Sequence, residues 1–123
     1  MKITKIIEYN KDDIEDIISV MYQSFSPYFM LDNTTGYWKA ARASLPEGAT
    51  MEEITMKIFE SALSIKIIDV EDGTEYYMTK NMFESGVQQA VDEEYWDGDI
   101  DTADAEVGYA ILQFALFNEI LYD

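Results

Sequence analysis

A chain of 123 residues with 48% hydrophobic and 14% aromatic residues has enough apolar material to bury a core without staples, and too much for a disordered segment. It contains no cysteine and no histidine, which excludes disulfide frameworks, thiolate chemistry, Ser-His-Asp and Cys-His catalysis and imidazole metal ligands. A formal charge of −17 repels nucleic acid and anionic membranes and attracts basic surfaces.

Residues 2–9 are short and β-branched and predict a strand. A helix follows, capped by Asn10 or Asp12, with Ile14, Ile17, Ile18, Met21, Tyr22 and Phe25 on one stripe. Its acids Asp12, Asp13, Glu15 and Asp16 suit the positive end of a helix dipole. Pro27 ends or kinks the pattern. In residues 28–48, Tyr28 to Leu31 pack, Asp32 to Gly36 turn, and Tyr37 to Ala43 predict a short helix stopped at Pro46. Lys39 and Arg42, beside Trp38, form a locally basic spot whose ordinary role is a cation on an aromatic face or a pair with the chain's own acids.

Thr50-Met51-Glu52-Glu53 is a capping box opening a helix over about 51 to 63. Ile65 to Val70 and Glu75 to Met78 predict a hairpin around Asp72-Gly73. Thr79 can cap a helix with Phe83, Val87, Ala90 and Val91 inward and Gly86 as a weak or closely packed point. After a turn near Tyr95 to Gly98, a last helix starts near Thr102. Val107, Ala110, Ile111, Phe114, Phe117 and Leu121 make one of its stripes and Leu112, Leu116 and Ile120 a second, which predicts burial on two sides. The expectation is one α+β domain over residues 1–123, with a small antiparallel sheet (N-terminal strand plus hairpin) and four to five helices. The opening residues lack a signal-peptide core, and no apolar run approaches the roughly 18 residues of a membrane span, so a cytoplasmic protein is expected.

The charge is uneven. All eight bases (Lys2, Lys5, Lys11, Lys39, Arg42, Lys57, Lys66 and Lys80) lie at or before residue 80, and the remainder holds eleven acids and no base. The densest stretch is Asp92, Glu93, Glu94, Asp97, Asp99, Asp101, Asp104 and Glu106, eight carboxylates in fifteen residues. Drawn as a helix it would span about 22 Å, a length over which duplex DNA carries about 13 charges. The acids of the first helix, or Asp69, Glu71, Asp72 and Glu75 of the hairpin, could supply the difference. Tyr95 and Trp96 inside the run read either as interface anchors or as rings tucked under a turn.

Asp97-Gly98-Asp99-Ile100-Asp101 has the alternate-acid start of a calcium loop, but Thr102 stands where Gly is needed and Gly108 where a bidentate Glu is needed. A catalytic carboxylate pair would need a cleft that spacing does not reveal. No cofactor or metal motif is present.

The tail from Thr102 to Glu106 and Ala110 to Tyr122, after the Asp72-Gly73 hairpin and the Thr79 helix, resembles small acidic proteins of phages and mobile elements of Gram-positive bacteria. Their members often have Gly where this chain has Asn118. The resemblance covers roughly the last 55 residues, about half the chain. The wider class it is similar to includes DNA mimics that block restriction or CRISPR nucleases. The expectation is a non-enzymatic inhibitor in a bacterial host cell, contacting a basic nucleic-acid-binding protein through Asp92, Glu93, Glu94, Tyr95, Trp96, Asp97, Asp99, Asp101, Asp104 and Glu106. The competing readings are a homo-oligomeric assembly protein with its last helix as a homodimer seam, a calcium module, and a small carboxylate enzyme.

Overall fold

The computed structural model describes residues 8–122. In chain order the elements are α1 (Lys11–Gln23), β1 (Phe29–Leu31), α2 (Gly36–Ala43), α3 (Met51–Glu60), β2 (Ser64–Asp69), β3 (Glu75–Thr79), α4 (Lys80–Asp92), a 3-10 turn (Ile100–Thr102) and α5 (Ala105–Phe117). The fold is α+β, with a small antiparallel sheet and several helices. Among the described residues no helix is long and apolar enough to cross a membrane. The chain divides into two compact units, Met1–Ser24 with Asn81–Asp123, and Phe25–Lys80.

The Phe25–Lys80 unit is a sheet in the order β1-β2-β3 with α2 and α3 against it. Its outer strand beside β2 is Phe29–Leu31, a stretch whose sequence predicts only packing. The strand predicted over 2–9 falls largely outside the described residues, and Glu8 and Tyr9 are irregular. Strand alternation turns Ile65, Ile67 and Met78 inward, where all three are buried. The predicted hairpin is present, but its loop is longer than a two-residue turn. Asp69 closes it: its carbonyl accepts from Gly73 N–H, its N–H donates to the Thr74 carbonyl, and its carboxylate accepts from Glu71 N–H. Gly73, at φ +77°, supplies the left-handed residue this loop needs. The capping box of α3 forms in both directions, each bond 3.1 Å.

In the other unit, Asn10 caps α1 by accepting from Asp13 N–H, and α5 is held at backbone distance by two glycines. A Cβ on Gly108 would lie 2.2 Å from the Val20 carbonyl oxygen of α1. One on Gly86 of α4 would lie 2.7 Å from the Ile111 carbonyl oxygen of α5 and 2.8 Å from the Ala115 Cβ. Eight residues of α5, Val107, Gly108 and Ala110 through Ala115, are buried within the chain.

The helix stops earlier than its stripes predict. Asn118 adopts a left-handed conformation at φ +60°, leaving Ile120 and Leu121 in an irregular tail. Gln113, the one polar side chain in an apolar stretch and 1% exposed, ties that tail down. Its Oε1 accepts from Leu121 N–H (2.9 Å) and Tyr122 N–H (2.8 Å), and its Nε2 donates to the Tyr122 carbonyl (3.0 Å). A buried amide bonded at both ends carries no desolvation penalty beyond what those bonds return.

Gly108→Ala is expected to destabilise the protein by roughly 1–3 kcal/mol in urea unfolding, because the added methyl meets backbone that cannot swing aside. Gly36→Ala, with nothing within 4 Å of its Cβ, is expected to be neutral or slightly stabilising.

Candidate functional site

The acidic run begins where α4 ends. Tyr95 N–H donates to the Ala90 carbonyl (2.9 Å) and Glu94 N–H to the Val91 carbonyl (3.1 Å), while Glu94 sits at φ +64°. This is a Schellman cap with a glutamate in the left-handed position that usually takes glycine. The run therefore leaves the helix at once, and the 22 Å helical path does not exist. Asp92 stays on the last turn of α4 and accepts from Gln88 Nε2 at 2.9 Å.

Beyond the cap the loop is built around Trp96. Its indole N–H is shared between the Asp99 carbonyl (3.0 Å) and Thr102 Oγ1 (3.1 Å). Its ring stacks on Tyr9 with centroids 5.9 Å apart and planes 17° apart, and the Tyr9 hydroxyl donates to the Gly98 carbonyl at 2.8 Å. Trp96 is 5% exposed. Of the two readings of Tyr95-Trp96, the tucked ring holds for Trp96, which gives a partner no surface. Tyr95 is 49% exposed, with its ring edge-on to Phe114 at 5.6 Å.

The loop carboxylates bond the loop that carries them. Asp97 Oδ1 accepts from Asp99 N–H (2.8 Å) and Thr102 Oγ1 (2.7 Å), Asp99 Oδ1 accepts from Asp101 N–H (2.9 Å), and Asp104 caps α5 by accepting from Val107 N–H (2.9 Å). No group of three or more acidic side chains among the described residues is arranged to hold a metal ion. The partial calcium spacing instead serves successive turns, each closed by an aspartate on a backbone N–H two residues ahead. Glu93, Glu94, Asp97, Asp99, Asp101, Asp104 and Glu106 are all exposed, and Asp92 is half-buried.

The first helix adds to this surface. Burial, with the charges of Asp13, Asp97 and Asp99, pushes the Tyr9 phenol up from 10.0 to about 12, so acids from α1 and from the loop bear on one hydroxyl. Within Met1–Ser24 and Asn81–Asp123 there are sixteen acids and three bases, against nine and five in Phe25–Lys80. The hairpin acids Asp69, Glu71, Asp72 and Glu75 belong to the second group. An open cleft of about 550 Å³ runs beside the loop between Val91, Glu94, Tyr95 and Asp97. No family model, no curated protein and no solved structure matches the chain.

Lys39 and Arg42, the locally basic spot, are exposed on α2 in the other unit beside the buried Trp38. Two residues that shape the loop, Tyr9 and Thr102, carry no sequence signal as such. Each is an ordinary polar residue until the fold places it against the indole.

The phenol of Tyr9 supports a prediction at alkaline pH. Up to about pH 10 it is protonated folded and unfolded. Between 10 and about 12 the unfolded chain loses that proton while the folded one keeps it, so stability falls as pH rises through this window. In spectrophotometric titration the Tyr9→Phe variant is expected to lack a phenol that ionises near pH 12 and to lose less stability across the window.

Proposed function

We propose that this protein is a non-enzymatic inhibitor that presents its acidic unit, in place of DNA, to the nucleic-acid channel of a bacterial nuclease of the restriction or CRISPR type. The observation that carries this reading is seven exposed carboxylates between Glu93 and Glu106, on the Trp96-centred loop and the first turn of α5, of which Asp97, Asp99 and Asp104 are held by backbone N–H groups, with Asp13 of α1 alongside. A pre-shaped polyanion loses little conformational freedom on docking, which is the usual cost of ordering charged side chains. Its field speeds encounter with a basic groove and rejects acidic competitors. Carboxylates only accept, and the Arg, Lys and backbone N–H groups that line a phosphate-binding channel only donate. Tyr95, half exposed and braced by Phe114, supplies an aromatic anchor at the edge of the charged surface.

The test is displacement of a fluorescent duplex from purified restriction and CRISPR nucleases, followed by anisotropy. Displacement is expected to weaken by about tenfold or more between about 50 and about 200 mM salt. The triple variant Asp97→Asn, Asp99→Asn, Asp101→Asn keeps an oxygen at each loop bond while removing three charges. It is expected to bind about tenfold or more less tightly with an unchanged melting curve. Equal affinity for that variant removes the three residues from the interface.

A further inference from the structure

The open cleft of about 550 Å³ beside the acidic loop lies wholly inside the unit of Met1–Ser24 and Asn81–Asp123, and its size falls within the roughly 300–1,000 Å³ of sites that enclose small ligands. Its lining is of two kinds. Trp96 and Val107 reach it from the core, 5% and 7% exposed, and Val91 of α4 is half-buried. The Tyr95 ring, half exposed and edge-on to Phe114, forms an aromatic wall. Two exposed carboxylates, Glu94 and Asp97, flank Tyr95 and Trp96 in the chain, and no base stands among the described residues that line the cleft. Asp97 is fixed before anything binds, because its Oδ1 accepts from Asp99 N–H and from Thr102 Oγ1.

An apolar and aromatic lining with two carboxylates selects its occupant by chemistry. An anion is repelled by both acids. A wholly apolar group strips water from the carboxylates and returns no bond to them. A lysine ammonium is a compact point charge that holds its water strongly and gains less from an aromatic ring than a guanidinium does. An arginine matches both parts, since its methylene stem packs on apolar surface while its planar, weakly hydrated head stacks on an aromatic face and forks to carboxylate oxygens. The geometry points to this cleft as the seat of one arginine side chain of the partner protein, its stem on Val91 and Val107 and its guanidinium against Tyr95, bonded by Glu94 and Asp97. The seat rests on the cleft itself. That the arginine belongs to a nucleic-acid channel rests on the inhibitory reading above, in which arginines that hold phosphate are the groups an acidic surface meets.

Amide and methyl NMR of the full chain, titrated with N-acetyl-arginine amide and, at the same ionic strength, with N-acetyl-lysine amide, tests the seat without any nuclease. The arginine probe is expected to give saturable shifts in the millimolar range at the Trp96 indole N–H, the Thr102 amide and the Val91 and Val107 methyls, and the equally charged lysine probe to bind several-fold more weakly. Glu94→Gln and Glu94→Gly are each expected to weaken the arginine probe about threefold or more. Glu94→Gly is expected to melt no lower than the parent, because glycine takes the left-handed position at φ +64° without penalty, so its lost affinity is not lost fold. Glu119→Gln removes one exposed charge from the same unit without lining the cleft, and is expected to change probe binding less than about twofold. Shifts that do not saturate, equal affinity for the two probes, or a loss from Glu119→Gln as large as that from Glu94→Gln would each overturn the seat. Arginine binding with no duplex displaced from any nuclease would leave the seat and remove the inhibitory reading, and displacement without arginine binding would do the reverse.

Discussion

The indole of Trp96 decides what the acidic loop is. Without a buried centre, a stretch with this density of like charge would expand, since like charges repel over a screening length of roughly 10 Å. Trp96 opposes that expansion with apolar burial, a stack on Tyr9 and an indole N–H shared by two loop oxygens. The aspartates then close their own turns on backbone N–H groups, so part of the charge that would unfold the loop helps to shape it.

The same arrangement divides labour within the chain. Gly108 and Gly86 bring α1 and α4 onto α5 at backbone distance, and the Tyr9 stack joins the approach to α1 to the loop that precedes α5. The acids of α1 and the loop therefore share one unit rather than lying scattered along the sequence. The Phe25–Lys80 unit is different in kind, with a small charge excess, helices α2 and α3 packed on a sheet, and one closed ion-pair cluster of Asp32, Lys66 and Glu75 across its strands.

Much of this was legible from periodicity and capping. The Thr50 box, the stripe of α1, the burial of α5 and the hairpin all follow from side-chain spacing with local hydrogen-bonding chemistry. Three helix ends did not follow, and they share one cause. Ala62, Glu94 and Asn118 occupy left-handed positions at φ +59°, +64° and +60° after α3, α4 and α5. That conformation costs a non-glycine residue roughly 1–2 kcal/mol, so sequence reading looks for glycine and extends the helix when it finds none. Asn118 is the mildest case, since asparagine tolerates this region. β1 was missed for another reason. Three residues are too few to show alternation, and their strand character comes from pairing with β2 some forty residues away. Trp96 could not be assigned inside or outside from sequence because both its acceptors are supplied by the loop it organises.

The buried tryptophan holds the acidic loop in one shape. Amide hydrogen exchange read residue by residue tests this most directly, comparing the parent with Trp96→Phe, which keeps an aromatic ring but loses the indole donor. The amides of Asp99, Asp101 and Thr102, each bonded within the loop, should be protected in the parent and should lose that protection in the variant while α1 and α5 keep theirs. Free exchange of those three amides in the parent would contradict the account, because the carboxylates would then have no fixed arrangement to present.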